Sequence, residues 1–405
     1  MAEIRADAGT DALRTLPPGQ SLRLAVTAGC LAVPIAALVI GVSIAQVTNG
    51  IPPAVWTDFN VFWAAATLAL GGDGLAALDV RTLYDAMPVQ PDAWYPFAYP
   101  PGFLALITPL GLAPFAVAWP LFSGLSVLAL AAALRVWCAG LPAILIAAAL
   151  APVILPAVIL GQTSLIWTAA LLAALWRLRC GDQVMAGILI GCLTLKPQLG
   201  LMLPVALAAG GAWLAILWAL ITAGLLAIGP LILFGFDYLP LLFEGVSGHL
   251  AATSGAERLP GRMLAVLTFL IGAGVPKDVA MVGQAICAAG VGGLVLIVWR
   301  SRTVDPDVRD AVLLAAIPLS TPYFWHYELV IPAAALLFLL RARAHPAGMI
   351  GAGLFLSLWF GGAAIVLFEL MAPTDTVPAR YLFLPLLVAL FAQTAKCAVA
   401  KMTRL

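Results

Sequence analysis

The chain has 405 residues, of which 63% are hydrophobic and only 10% charged, with a mean hydropathy of +1.07. A soluble domain carries about 25% charge, so these figures exclude an ordinary water-soluble globule and describe an all-α polytopic membrane protein. The net charge of +1 argues against a nucleic-acid partner.

The first apolar run, 24–46, is long enough to span a bilayer at about 1.5 Å per residue. "TAGC" at 27–30 resembles a lipoprotein cleavage box, but the apolar stretch follows Cys30, so a cleaved signal peptide is not expected. The interval 47–101 is the one long polar stretch. It opens with "WTDFNVFW" (56–63), in which Asp58 is the single charge. Phe59, Phe62, Trp63 and Ala66 recur at helical spacing. This predicts an amphipathic helix along the membrane surface, its rings at headgroup level, with a second short helix near 80–87. On spacing alone Asp58 reads as an N-cap or first-turn acid favourable to the helix dipole. The functional reading is a general base at the membrane surface, its pKa raised by partial burial. "WYPFAYPPGF" (94–103) closes the interval. Pro100-Pro101 stiffens the chain and starts a helix, and Tyr95 and Tyr99 are placed to line a cleft.

Further apolar runs lie near 115–137, 141–159, 163–178, 185–209, 211–235, 278–299, 311–341, 347–371 and 380–397. Pieces 102–113 and 261–274 are too short to cross and are expected as half-helices or tilted segments. Together these give roughly 10–13 transmembrane helices in a single membrane-embedded domain. Three interruptions carry chemistry. Gly161-Gln162-Thr163-Ser164 is by default a polar turn, although Gln162 suits a sugar or phosphate. Lys196-Pro197-Gln198 breaks the run 185–209. A lysine within such a run costs about 2.5–3.5 kcal/mol on insertion scales. It either snorkels to the surface or holds a lipid-linked phosphate. "STPYFWHYE" (320–328) places His326 and Glu328 in an apolar run; His326 reads as an aromatic-belt residue, a phosphate donor or the partner of an acid. The loop 236–260 carries His249 beside Glu244, Glu257 and Arg258. The six cysteines have no metal-ligand or redox spacing and read as apolar fillers. No HExxH, nucleophile elbow or Walker loop occurs, which removes support for soluble hydrolase and ATPase chemistries.

The positive-inside rule orients the chain. With 1–23 as a cytoplasmic tail and 102–113 dipping in without crossing, the basic residues split 14 to 6, leaving Arg81, Lys196, Arg258, Arg262, Lys277 and Arg380 outside. The same arrangement gathers Asp58, Tyr99, Gln162, Lys196, Gln198, His249 and His326 on the outer face, with 47–101 as an outer catalytic loop.

In their order, Asp-Phe after the first span, YPP, GQ, KPQ after "AGILIGCLTL" and a late aromatic-His motif resemble glycosyltransferase family 87 over roughly residues 45–330. The resemblance implies an integral-membrane enzyme of the GT-C class that uses a polyprenyl-phosphate sugar, typically mannose, with an acceptor on a lipid or glycan. It implies Asp58 as the base for the acceptor hydroxyl, with inversion. Lys196 is implied at the donor phosphate or in site structure, and His326 as the histidine of a late motif. That motif here reads Ser320-Thr321-Pro322-Tyr323-Phe324-Trp325-His326-Tyr327; Thr321 and Tyr327 depart from the family pattern. Gln162, Gln198, Tyr99, His249 and Arg258 complete the candidate substrate-binding set. No cofactor is expected; a metal is not required, and Asp58 with Asp85 or Asp92 is the arrangement left open for one. The expected location is the inner membrane with the site facing the periplasm. A transporter or lipid-linked-sugar flippase is the competing class, because broken helices with a lysine near the outer face suit one too.

Overall fold

The computed structural model describes residues 34–35, 37–51, 58–91, 95–138, 143–253, 261–344, 348–371 and 379–403. Among them the regular elements are helical throughout, as the composition requires: backbone polar groups in lipid must be satisfied within a helix or a closed barrel.

Helix α1 covers Ala37–Thr48. The polar interval holds α2 (Phe59–Leu70), α3 (Val80–Asp85) and α4 (Pro101–Ile107), the last continued by a 3₁₀ turn at Thr108–Leu112. Then follow α5 (Phe115–Arg135), α6 (Ala143–Leu160), α7 (Ser164–Arg179), α8 (Gln183–Cys192) and α9 (Leu203–Ala209). Next are α10 (Trp213–Ile228), α11 (Leu231–Phe234), α12 (Tyr238–Thr253) and α13 (Val266–Gly272). The chain closes with α14 (Lys277–Arg300), α15 (Pro306–Ser320), α16 (Val330–Arg341), α17 (Gly348–Met371) and α18 (Ala379–Met402). Among the described residues, α5, α10 with α11, α14 and α18 are long and apolar enough to cross a membrane by themselves. Both short pieces expected as half-helices take that form, in α4 and α13. The interval 236–260, read as a loop, contains α12.

Helix α2 corrects the placement of its rings at headgroup level. Its aromatic face is buried in protein, with Phe59 at 0% and Phe62 at 1% exposure. Phe59 packs on Phe115 and Phe122, and Phe62 meets Tyr99 and Phe103 edge-on at 5.2 and 5.1 Å between ring centroids. Aromatic edges carry positive charge and faces negative, so such contacts fix orientation as well as burial. The aromatic face of the helix packs on protein and not on lipid headgroups.

Helices α8 and α10 approach through Gly187 and Gly191. A Cβ at Gly187 would stand 2.5 Å from the Ala215 carbonyl, and one at Gly191 2.5 Å from Thr222 Cβ. Two glycines four apart on one face let backbones close, the usual device of helix pairs in lipid.

Helices α7, α15 and α16 share a polarity of ends. Sixteen, 15 and 12 residues long, they measure about 18–24 Å at 1.5 Å per residue. At one end Arg179 pairs with Asp307 (2.6 Å) and Asp310 (2.5 Å), and Arg341 pairs with Asp307 (3.2 Å). The Arg179 guanidinium also lies 4.6 Å over the Trp137 ring, and Arg341 donates to the Trp137 carbonyl. At the other end stand the turns holding Gln162 and His326.

Candidate active site

Asp58 occupies the N-cap position of α2, with φ −64° and ψ −15°, but its side chain makes no capping bond. Its carboxylate instead accepts a hydrogen bond from Gln162 Nε2 at 2.5 Å. This corrects the capping reading of Asp58 and the plain-turn reading of Gln162 together. The turn is shaped by Gly161, whose φ is +63° and where a Cβ would fall 2.6 Å from Phe59 Cβ. Only glycine tolerates both that backbone and that closeness.

Lys196 sits at a break that its neighbour imposes. Proline excludes the α region for the preceding residue, and Lys196 has φ −137° and ψ 72° between 3₁₀ turns at Leu193–Leu195 and Pro197–Gly200. The Leu193 carbonyl is taken by Trp167 Nε1 at 3.1 Å and by the Lys196 amide at 3.0 Å. The side chain does not snorkel. It is 4% exposed, 2.5 Å from the Glu328 carboxylate, and 4.9 Å from the centre of the Tyr327 ring.

His326 is wholly buried, which rules out the aromatic-belt reading. Its turn is tied down by backbone pairing: the Leu264 amide donates to Phe324 (2.7 Å) and the His326 amide to Arg262 (3.2 Å), around an antiparallel bridge between Met263 and Trp325. Glu328 Oε2 accepts from the Trp325 amide at 2.8 Å.

The charges of these groups reach one another. Burial raises the pKa of Asp58 above the ordinary carboxylate value, while the Gln162 hydrogen bond and the positive charges of Arg262 and Lys196 oppose that rise. Burial, reinforced by the negative charges of Asp58 and Glu328, lifts the Tyr99 hydroxyl well above the usual phenol range. Burial and the Arg262 charge push His326 well below its usual value, so its imidazole is neutral at pH 7. Among the described residues, several buried polar atoms here have no hydrogen-bond partner: Gln162 Oε1, Thr163 Oγ1, Ser164 Oγ and both His326 ring nitrogens. One such atom costs about 1–3 kcal/mol, so their gathering fits a place where a hydroxyl-rich ligand supplies the partners.

Six segments distant in sequence thus bring Asp58, Tyr99, Gln162, Lys196, Arg262, His326 and Glu328 together. Gln198 is half-buried on the following 3₁₀ turn and makes no hydrogen bond to this group. His249 falls within α12, and Arg258 and Asp92 lie outside the described residues. Asp85 accepts from Gln90 at 3.2 Å. Among the described residues no three His, Cys, Asp or Glu side chains gather as metal ligands. Sequence reasoning missed Arg262 and Glu328 as members. The available signal was that a buried lysine needs a counterion, and Glu328 is the one acid in its apolar interruption.

A family model described as glycosyltransferase family 87 matches residues 97–322, more than half of the chain. Asp58 lies well before the matched stretch and His326 just after it. No curated protein and no solved structure matches the chain.

Proposed function

The chain belongs to glycosyltransferase family 87, and on that premise we propose that this membrane glycosyltransferase moves a sugar, in the first instance mannose, from a polyprenyl-phosphate donor to a lipid- or glycan-linked acceptor. The fold is of the GT-C class in this reading, and the site faces the periplasmic side of the inner membrane. The transporter reading has no comparable support.

The observation that carries the proposal is Asp58: a partly buried carboxylate, turned away from its own helix, held by Gln162 and set among unpartnered polar atoms. In the reaction, the acceptor hydroxyl oxygen bonds to the anomeric carbon while the bond from that carbon to the lipid phosphate breaks. The electron pair leaves with the phosphate, and the hydroxyl proton passes to Asp58. Attack opposite the leaving group inverts the anomeric configuration. Raising the carboxylate pKa makes its ionised form a stronger base. Fixed positive charge from Arg262 offsets charge on the departing phosphate. The neutral His326 imidazole, with one donor and one acceptor nitrogen, is suited to the donor's hydroxyl or phosphate oxygens. Tyr99, Gln198, His249 and Arg258 belong to the substrate-binding set by resemblance alone.

The test is transfer by the purified protein from synthetic polyprenyl-phosphate mannose to a panel of lipid and glycan acceptors, with the product's anomeric configuration read by NMR. Wild type should transfer with inversion and Asp58→Asn should not. Near-normal transfer by Asp58→Asn removes the base, and retention of configuration removes the single-displacement mechanism.

A further inference from the structure

Lys196 and Glu328 are buried together, at 4% and 0% exposure, with the ammonium 2.5 Å from Glu328 Oε1 and over the Tyr327 ring. The other carboxylate oxygen accepts from the Trp325 amide. Glu328 therefore holds two separate pieces of the site: the proline-imposed break that carries Lys196 and the turn that carries His326. We infer that Glu328 is a positioning residue for the transfer reaction, the standing counterion of Lys196, and that it locks the helix break to the His326 turn.

The physical argument is one of charge balance. An ammonium that left Glu328 to bind a donor phosphate would strand a carboxylate where water does not reach. Losing one member of such a pair is far more damaging than replacing both by neutral groups of similar shape. The paired state also aligns His326. Glu328 lies two residues beyond it, on the same 3₁₀ turn at His326–Glu328, so a shift of the carboxylate moves the imidazole. Lys196 then acts on the reaction through geometry and its field, and is not a ligand of the donor.

The inference rests on the transferase reading for its kinetic readout only. Full-length protein in lipid nanodiscs is compared as wild type, Glu328→Gln, Lys196→Met, the double variant Lys196→Met/Glu328→Gln, and Glu328→Asp. Each is measured for Tm and for kcat and KM, with polyprenyl-phosphate mannose as donor. The two single neutralisations should each lower Tm and cut kcat by about 100-fold, and the double variant should regain at least about tenfold in kcat and most of the lost Tm. Glu328→Asp keeps the charge but draws it back by one methylene. It should melt near wild type yet lose about tenfold in kcat, with donor and acceptor KM within about threefold. A merely structural pair would leave kcat of Glu328→Asp intact, and that result overturns the inference. So does a double variant no better than the worse single one, or a donor KM raised more than about tenfold by Lys196→Met and not by Glu328→Gln. If wild type transfers nothing from this donor, the substrate reading fails by itself. The pairing is then judged by Tm across the same cycle, where additive losses overturn it.

Discussion

Asp58 shows how one side chain carries opposing demands on stability and activity. Arg262, Lys196 and the Gln162 amide favour its ionised form; Tyr99, Tyr323, Tyr327 and Glu328 lie around the same space, and burial favours the neutral form most. Because the folded-state pKa lies above the unfolded one, the group stabilises the fold at low pH, and this contribution is lost as pH rises through the folded value. As a base it works only when ionised. The acid limb of kcat/KM should therefore fall above the ordinary carboxylate value of 3.8, and Asp58→Asn should melt no lower than wild type at pH 8 while losing transfer. A pH–rate profile and a melting curve check both. Gly161 offers a second test at this scale. Gly161→Ala forces a Cβ against Phe59 and strains a left-handed backbone, so the Gln162–Asp58 bond should open and kcat fall by about 10–100-fold. Steady-state kinetics decide it, with circular dichroism confirming helix content.

At the scale of elements, the break between α8 and α9 is written in the local sequence. Pro197 cannot donate a backbone hydrogen bond and holds Lys196 out of the helical region. Pro197→Ala permits α8 to continue through Lys196 and would turn its ammonium away from Glu328. The expected outcome is a protein of wild-type helix content with a lower Tm and kcat reduced by about tenfold or more. A kcat equal to wild type would show that the break is not what aims Lys196. The closeness of α8 and α10 at Gly187 and Gly191 anchors the same unit from behind, since either Cβ would strike the facing helix.

For the whole molecule, polar groups concentrate at two ends of one bundle. Arg135, Arg179, Arg300, Arg341 and Lys401 each stand in the last turn of their helices. They complement the helix dipoles there. The network of Arg179, Asp307, Asp310 and Arg341 closes the end away from the site. Asp310 is 1% exposed and takes two bonds from Arg179. Asp310→Ala leaves that arginine without its main partner and should destabilise the protein by about 3–5 kcal/mol, read as a Tm drop, with kcat at low temperature little changed. Orientation is tested by single cysteines in a cysteine-free background. An impermeant reagent should label the exposed positions Arg81→Cys and Ser247→Cys from the outside only, and labelling of both from the cytoplasmic side alone would invert the proposed topology.

Composition and the placement of interruptions were enough to determine a helical membrane protein, the half-helices at α4 and α13, the break at Lys196-Pro197 and the family. These are local facts: hydropathy sets burial in lipid, and proline sets backbone conformation wherever it falls. Spacing along one helix misplaced the rings of α2, because periodicity reveals an apolar face but not whether lipid or protein covers it. It also favoured an N-cap at Asp58, since the competing partner, Gln162, is 104 positions away. Glu328 was legible as a charge in an apolar run, but not as the counterion of Lys196. Pairing across 132 positions is decided by how the helices pack, and burial then makes the pairing obligatory because neither charge can be left alone out of water.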